Sequence, residues 1–377
     1  RLIDTDDVSN LFEIETVDTN EPEFVFRNGV AMVPRLLPTH NTNKLTKLNG
    51  GTYVISGGLG YIGLNLAKKM LEEGADNIVL LSSSRDKLPE AIAEKPFAVK
   101  LQVKKCNVAD YISLKKVFEE TQNIRGIVHA AGVSSYCDIG NLSLKGIDKV
   151  YKPKVLGAIH LDTVCRHLEL SFFSMFSSIS TVFPVPNNAT YSSSNIILDS
   201  ISEYRYENGL ESLSLELGPW IGGGMVDDTE FLVKMNQIGI KGIHLENGLE
   251  QVLQLCNNDE TVNHSVIMVC PLTHEKLPML HITKDLPRDT TNAIAASSAN
   301  ESDFVIKLRQ SKTPEKDVED LIISLLEEFG LDIESRTTPW REIGLDSLSI
   351  VEFRNLLQSH IGNSFILSDT MLLDFPT

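Results

Sequence analysis

Between Thr52 and Cys270 the chain alternates short apolar, β-prone runs with stretches whose apolar residues recur at helical spacing. The runs are TYVIS (52–56), NIVLLS (77–82), LQVKKCNV (101–108), GIVHAA (126–131), SFFSMFSS (171–178), SLSLELG (212–218) and SVIMVC (265–270). Their length suits strands rather than helices, and several are apolar almost throughout, as in strands covered on both faces. The intervening stretch from Tyr61 to Glu73 is typical of the helical ones. Ile62, Leu66, Met70 and Leu71 form one stripe, and Gly74 is the stop signal. Seven strands with helices between them predict an α/β fold built on a doubly wound, parallel, seven-stranded sheet.

The pattern changes on either side of this region. FVFRNGVAMV (24–33) gives two β-prone runs around Asn28-Gly29, a dipeptide that tolerates the positive φ of a tight hairpin turn. From Thr283 to Thr313 the residues become small and polar, with DTTNAIAASSANESD at the centre, which predicts a linker. Beyond it Val318, Leu321, Ile322, Leu325, Leu326 and Phe329 fall at helical spacing. A loop follows, and then a helix opening at Ser347. The expected organisation is therefore 1–48, the end of an upstream unit with a linker; 49–282, the α/β domain; 283–313, a flexible linker; and 314–377, a small all-α bundle.

Composition narrows the function classes. The 377 residues are 42% hydrophobic and 23% charged, ordinary for a globular chain long enough for two domains. From Pro314 onward thirteen Asp or Glu face four Lys or Arg, so about half of the net charge of −17 lies in the tail. Such acidity argues against nucleic acid or an anionic membrane surface as partner and suits basic patches on other protein domains. Five dispersed cysteines without a CxxC pair predict reduced thiols in a cytoplasmic setting and no metal site. No apolar run is long enough to span a bilayer. The start at Arg1 and the stop at Asp-Phe-Pro-Thr read as a piece of a longer polypeptide.

GGLGYIG (57–63) follows a predicted strand and opens a predicted helix, placing Gly58, Gly60 and Gly63 in a GxGxxG arrangement. Glycines let the backbone approach a pyrophosphate, and the helix N-terminus offers free N–H groups to the anion, so a Rossmann-like dinucleotide site is expected. The second strand ends without the acid that would take a ribose hydroxyl. It offers instead Ser82, Ser83, Ser84 and Arg85, hydroxyls and a guanidinium suited to a 2′-phosphate, which favours NADPH.

A further constellation lies in FSSISTVFPVPNNATYSSSN. Tyr191 and Asn195 stand four apart on one helix face, and Ser178 ends the preceding strand. With PKVLGAIHL around Lys154, these residues resemble the β-ketoacyl ketoreductase domains of type I modular polyketide synthases and animal-type fatty acid synthases, members of the short-chain dehydrogenase/reductase superfamily. The resemblance runs from about Asn49 to Leu280. It implies Tyr191 as the general acid, Ser178 as hydrogen-bond donor to the carbonyl oxygen, Lys154 as the group that lowers the tyrosine's pKa and touches the ribose, and Asn195 as holder of Lys154 and a relay water. It also implies cofactor contacts at Gly57, Gly58, Leu59, Gly60, Ile62, Gly63, Ser84, Arg85, Asn107, Val108 and Ala131.

The chain departs from that family at several positions. Ser83 stands where an Arg is usual, and Asn107 replaces an Asp that contacts adenine. An LDD motif would fall at Ser134, Ser135 and Tyr136, and the Trp eight residues before the tyrosine is Phe183. The missing LDD leans toward the product hand opposite to the LDD class. His129, within HAAGV, is expected to pack rather than catalyse. GPWIGGGM (218–225) resembles the family's substrate lid, with its glycines as hinge.

The tail from about Val318 resembles an acyl carrier domain lacking its last helix, with GLDSL as attachment motif and Ser347 as the 4′-phosphopantetheine site. The upstream hairpin then resembles the end of the structural subdomain that precedes such reductases. Together these resemblances imply NADPH-dependent reduction of a carrier-bound β-ketoacyl thioester to the β-hydroxyacyl thioester. The implied partners are that tethered substrate, the other domains of a parent synthase and a phosphopantetheinyl transferase. A catalytically inactive scaffold supporting the carrier stays open, given Ser83 and Asn107, as does a free-standing dehydrogenase of small alcohols if Ser347 is never modified.

Overall fold

The structure is a computed structural model. It describes residues 2–5, 23–27, 30–38, 47–224, 229–257, 264–277, 280–283 and 285–286, and in the tail 304, 307–308, 311, 313–328, 331, 339–345 and 347–361. The chain divides into two compact units, one of residues 39–273 and one of residues 1–38 with 274–377.

The first unit holds the seven-stranded sheet anticipated from the pattern. Its strands are β4 (Thr52–Ser56), β5 (Asn77–Ser82), β6 (Leu101–Lys105), β7 (Ile124–His129), β8 (Phe172–Ser178), β9 (Leu213–Leu217) and β10 (Val266–Val269), while β1 (Leu2–Thr5), β2 (Glu23–Arg27) and β3 (Val30–Met32) belong to the other unit. All pairings are parallel, in the order β10-β9-β8-β7-β4-β5-β6. The connection direction reverses between β4 and β7, which opens a crevice at their carboxyl ends. Both strands end at this crevice, β4 in the glycine loop and β7 in His129.

Alternation along β4 divides the core in two. Tyr53 and Ile55 pack on one face with Leu66, Ala67 and Met70 of α1 (Tyr61–Glu72). Val54 packs on the other with Leu114, Val117 and Phe118 of α2 (Tyr111–Glu120). Successive strand side chains point to opposite faces, so a strand apolar at every position needs helices on both sides. β6 ends before the expected run does, and its polar end explains the difference. Asn107 Oδ1 accepts the Ala109 N–H at 3.1 Å, turning the chain out of the sheet after Lys105.

Three helices position the chemistry. α3 (Leu144–Tyr151) runs through a π-helical turn (Lys152–Leu156) into α4 (Gly157–Cys165), and Pro153 sits within that turn. A proline has no N–H for the α-helical ladder, and the wider turn absorbs the gap. α5 (Ala189–Glu207) packs across β8 and β9. α6 (Thr229–Gln237) and α7 (Leu245–Cys256) follow β9.

In the second unit β1 (Leu2–Thr5) pairs in parallel with β2 (Glu23–Arg27), and β2 pairs antiparallel with β3 (Val30–Met32). Arg27 opposite Val30 is the register of a two-residue hairpin, whose turn residues Asn28 and Gly29 lie outside the described residues. β1 was not expected from the sequence pattern. In the tail, α8 (Pro314–Glu328) and α9 (Ser347–Ile361) share a small core of Leu325, Leu326, Leu345, Ile350, Phe353 and Leu357. The expected linker lies mostly outside the described residues.

Candidate active site

The glycine loop divides the crevice into two cavities that share Gly57, Gly60 and Gly132 as lining. The larger, about 420 Å³, includes Lys154, Ser178 and Tyr191. The smaller, about 320 Å³, includes Leu59, Ser82 to Arg85, Asn107, Val108 and Ala131. Gly57 has φ +65°, and a Cβ there would lie 2.8 Å from the Ala130 carbonyl, so the turn admits only glycine. A Cβ on Gly58 would lie 2.7 Å from Leu80 Cδ2. Gly58 lines neither cavity, and its small size serves the seating of the loop on β5 rather than the approach of a ligand. Gly63 is needed where α1 crosses the loop, a Cβ there falling 2.8 Å from Gly57 O. Ile62 lines the larger cavity beside it.

Three elements bring the candidate catalytic side chains together. The π turn directs buried Lys154 under the end of β8, where its Nζ donates to the Phe176 carbonyl at 2.9 Å. Burial lowers the Lys154 pKa to about 8, against the pull of the Asp199 carboxylate. Tyr191 comes from α5, and its ring centroid lies 5.1 Å from Lys154 Nζ. Burial holds the phenol above its ordinary range, opposed by hydrogen bonding from Asn195 and Ser178. Ser178 ends β8 and caps the turn that follows, its Oγ accepting the Ser180 N–H at 3.2 Å. With a lone pair so used, the hydroxyl proton remains to donate into the cavity.

Asn195 is fully buried and does not line the cavity. Its Nδ2 donates to Tyr191 O at 2.9 Å, and its Oδ1 has no protein partner. Thus Lys154 is held by the Phe176 carbonyl rather than by Asn195.

His129 packs, and it also ties three elements together. Its Nε2 lies 2.7 Å from the Lys154 carbonyl and its Nδ1 lies 2.6 Å from Ser56 Oγ. A carbonyl only accepts, so Nε2 carries the proton and Nδ1 accepts from the serine. Burial lowers the His129 pKa to about 4, keeping this neutral tautomer in place at physiological pH.

Several residues of the site escaped the sequence reading. Tyr136, met in the sequence only as a position of the missing LDD motif, lines the larger cavity. Asn188 and Ser180 also line that cavity, and Asn188 Oδ1 and Ser180 Oγ are buried without hydrogen-bond partners. Asp199, two helical turns beyond Tyr191 on the same stripe, and Glu216, a carboxyl inside a strand expected to be covered on both faces, were both visible as anomalies of pattern. Of the glycine-rich stretch after β9, Trp220, Gly223 and Gly224 line the larger cavity with Phe231 and Met235 of α6, while Met225 to Asp228 lie outside the described residues.

At the far end of the chain Gly344, at φ +105°, closes a short helical turn (Trp340–Ile343), and Ser347 is the first residue of α9. The positive φ is one that glycine adopts readily at a helix end.

The chain is similar to known proteins along most of its length. Residues 51–222 match the family model for the KR domain, and residues 319–377 match that for the phosphopantetheine attachment site. A 6-methylsalicylic acid synthase of Arthrobotrys oligospora is 26% identical over 416 aligned residues, covering 100% of this chain and 23% of that protein. The mycoketide-CoA synthase of Mycobacterium tuberculosis is 27% identical, covering 94% of this chain and 9% of that protein. A polyketide synthase of Streptomyces halstedii is 25% identical, covering 87% and 5%. The chain thus spans less than a quarter of each of these relatives. Among solved structures, a ketoreductase domain from the bacillaene assembly line shares the fold at TM-score 0.61 and 23% identity, covering 74% of this chain and 70% of that chain. A C2-type ketoreductase from a modular polyketide synthase does so at 0.67 and 17%, covering 76% and 65%.

Proposed function

We infer that this chain, a KR domain followed by a phosphopantetheine carrier domain of the polyketide-synthase kind, reduces a carrier-tethered β-ketoacyl thioester to the β-hydroxyacyl thioester with NADPH. The observation that carries the reading is the convergence of Lys154, Ser178 and Tyr191 in one cavity that continues, across the glycine loop, into a second cavity lined by Ser84 and Arg85.

The residues fit the dinucleotide. The loop at Gly57 and Gly60 leaves its backbone open to the pyrophosphate, the N-terminus of α1 favours its charge, and the Arg85 guanidinium suits a 2′-phosphate. Val108 and Ala131 supply apolar walls near Asn107, and Lys154 would touch the ribose. NADPH, when bound, supplies the hydride that reduces the ketone carbon.

The chain's own groups handle the oxygen. The raised pKa of Tyr191 keeps its Oη protonated at neutral pH, the state required of an acid. Its proton passes to the carbonyl oxygen as negative charge develops there, while the Ser178 hydroxyl donates a hydrogen bond to the same oxygen. Lys154, at about 8, is mostly cationic at pH 7, and its charge stabilises the tyrosinate left behind. Proton supply back to Tyr191 would run past Asn195, whose Oδ1 is free to hold a water.

Phosphopantetheine on Ser347 would deliver the acyl chain. Tethering raises its local concentration, so the reductase cavity needs little affinity of its own. Following NADPH oxidation with a short β-ketoacyl thioester surrogate, with NADH as the cofactor control, tests the reading. Folded protein that binds NADPH and does not turn over would sink the reductase assignment. It would favour the scaffold reading, for which Ser83 and Asn107, standing where the ketoreductases have other residues, speak.

A further inference from the structure

Near Lys154 lies a group of polar side chains for which the reaction above has no use. Asp199 of α5 accepts from Ser214 Oγ at 2.5 Å and is hydrogen-bonded by Ser177. Glu216 stands two residues after Ser214 on the same face of β9, is buried, and reaches both Thr181 Oγ1 and the Asp199 carboxyl. Neither carboxyl takes part in an ion pair among the described residues, and the cation that acts on Asp199 is Lys154.

Thr181 has one hydrogen fewer than the acceptors that face it. Thr181 Oγ1 owns one hydrogen and lies against two oxygens, the Ser178 carbonyl at 2.9 Å and Glu216 Oε1. A carbonyl only accepts. If Thr181 donates to it, Glu216 can approach Thr181 only as a donor, which requires a protonated carboxyl. The interaction between Glu216 and Asp199 points the same way, because two buried carboxyls that interact without a cation between them do not both ionise.

We propose that Asp199 and Glu216 form a buried proton-sharing carboxyl pair whose remaining negative charge keeps Lys154 in its ammonium form. The importance of that ammonium rests on the reductase reading. Asp199 and Glu216 act through Lys154 and are positioning residues; neither lines the cavity. The titratable groups facing the pair are few. Lys154 comes from the π turn, Glu203 and Tyr191 share α5, and neutral His129 of β7 lies behind the Lys154 carbonyl. β8 and the turn after it contribute only the hydroxyls of Ser177 and Thr181, and β10 is apolar. Burial raises Glu216 to about 7 and Asp199 to about 6, consistent with one retained proton near neutrality.

The test needs no cofactor and uses the full chain. Infrared spectra should show the carbonyl band of a protonated carboxylic acid in the native protein at about pH 6.5, fading as the pH rises through 7. Most of that band should be missing in Glu216→Gln at the same pH. In parallel, the Lys154 side chain is titrated by NMR of lysine labelled at Cε, assigned by its loss in Lys154→Met. Its midpoint should fall by one pH unit or more in Asp199→Asn. A native protein without the band, a band unchanged in Glu216→Gln, or a Lys154 midpoint unmoved in Asp199→Asn overturns the proposal. Should Asp199→Asn fail to fold, the native band and near-isosteric Glu216→Gln still decide the proton sharing. NADPH binding, measured separately by fluorescence, reports on the reductase reading alone, so the two can fail independently.

Discussion

Lys154 Nζ lies 5.1 Å from the centroid of the Tyr191 ring, fixed there by its hydrogen bond to the Phe176 carbonyl. A cation so placed helps a tyrosinate more than a phenol, so its effect grows as the proton leaves. In the proposed reaction the pair works as one unit, and removal of either member is expected to cost much of the rate.

Tyr191→Phe keeps the ring over which Lys154 sits and removes only the acid. We expect turnover of a β-ketoacyl surrogate to fall by roughly 10²–10⁴-fold with NADPH affinity nearly unchanged. Steady-state kinetics alongside a fluorescence binding titration checks both halves; retained turnover would assign the proton to another group.

Arg85 is exposed and lines the smaller cavity. If it pairs with the 2′-phosphate, Arg85→Ala should weaken NADPH by roughly 10–100-fold, the value of a charge-assisted hydrogen bond, and leave NADH where it was. The ratio of the two cofactors' kcat/KM is the measurement. A parallel loss for both would show that Arg85 does not read the phosphate.

Glu216 makes stability depend on pH in a definite direction. Its pKa is raised from 4.5 to about 7 by burial, so the folded chain binds a proton that the unfolded chain releases. This group therefore lowers stability progressively as the pH climbs from about 4.5 to about 7. Glu216→Gln removes the penalty. Relative to the native protein it should gain on the order of 2–3 kcal/mol between pH 5 and pH 8, read from urea unfolding at the two values. An equal effect at both would mean that the carboxyl titrates normally.

Arg205 is 2% exposed and stacks 4.0 Å over the Phe173 ring, with Asp162 as its ion-pair partner and the Glu211 carbonyl as a further acceptor. Asp162→Asn leaves a guanidinium in the core without its counter-charge, at a cost of roughly 3–5 kcal/mol. Chemical denaturation gives the number directly, and a change below about 1 kcal/mol would show that the Glu211 carbonyl suffices.

Ser347→Ala should abolish the mass increment produced by a phosphopantetheinyl transferase and coenzyme A. Reduction of an untethered surrogate should continue unchanged. Mass spectrometry and the NADPH assay on the same preparation separate attachment from chemistry; a persistent increment would place the arm on another residue.

Much of this protein is legible without coordinates because its signals are local. All seven strands of the large sheet were foreseen, since short β-prone runs alternating with stretches of helical spacing are the mark of a parallel, doubly wound sheet. The glycine loop is equally plain, as only glycine tolerates φ +65° with an Ala130 carbonyl 2.8 Å from where a Cβ would stand. Tyr191, Ser178 and Lys154 were picked out by spacing along the chain and by family resemblance, and their convergence needed the fold.

Tertiary structure alone decided the rest. Sequence spacing does not tell whether a glycine faces a ligand or a neighbouring strand, and the answer for Gly58 is Leu80 of β5. It does not give the protonation of His129, which follows from a serine on one strand and a carbonyl on a distant helical turn. Nor does it bring Glu216 of β9 against Asp199 of α5 near Lys154. Charge states in a protein interior depend on which groups meet out of water, and those meetings join residues far apart in the chain.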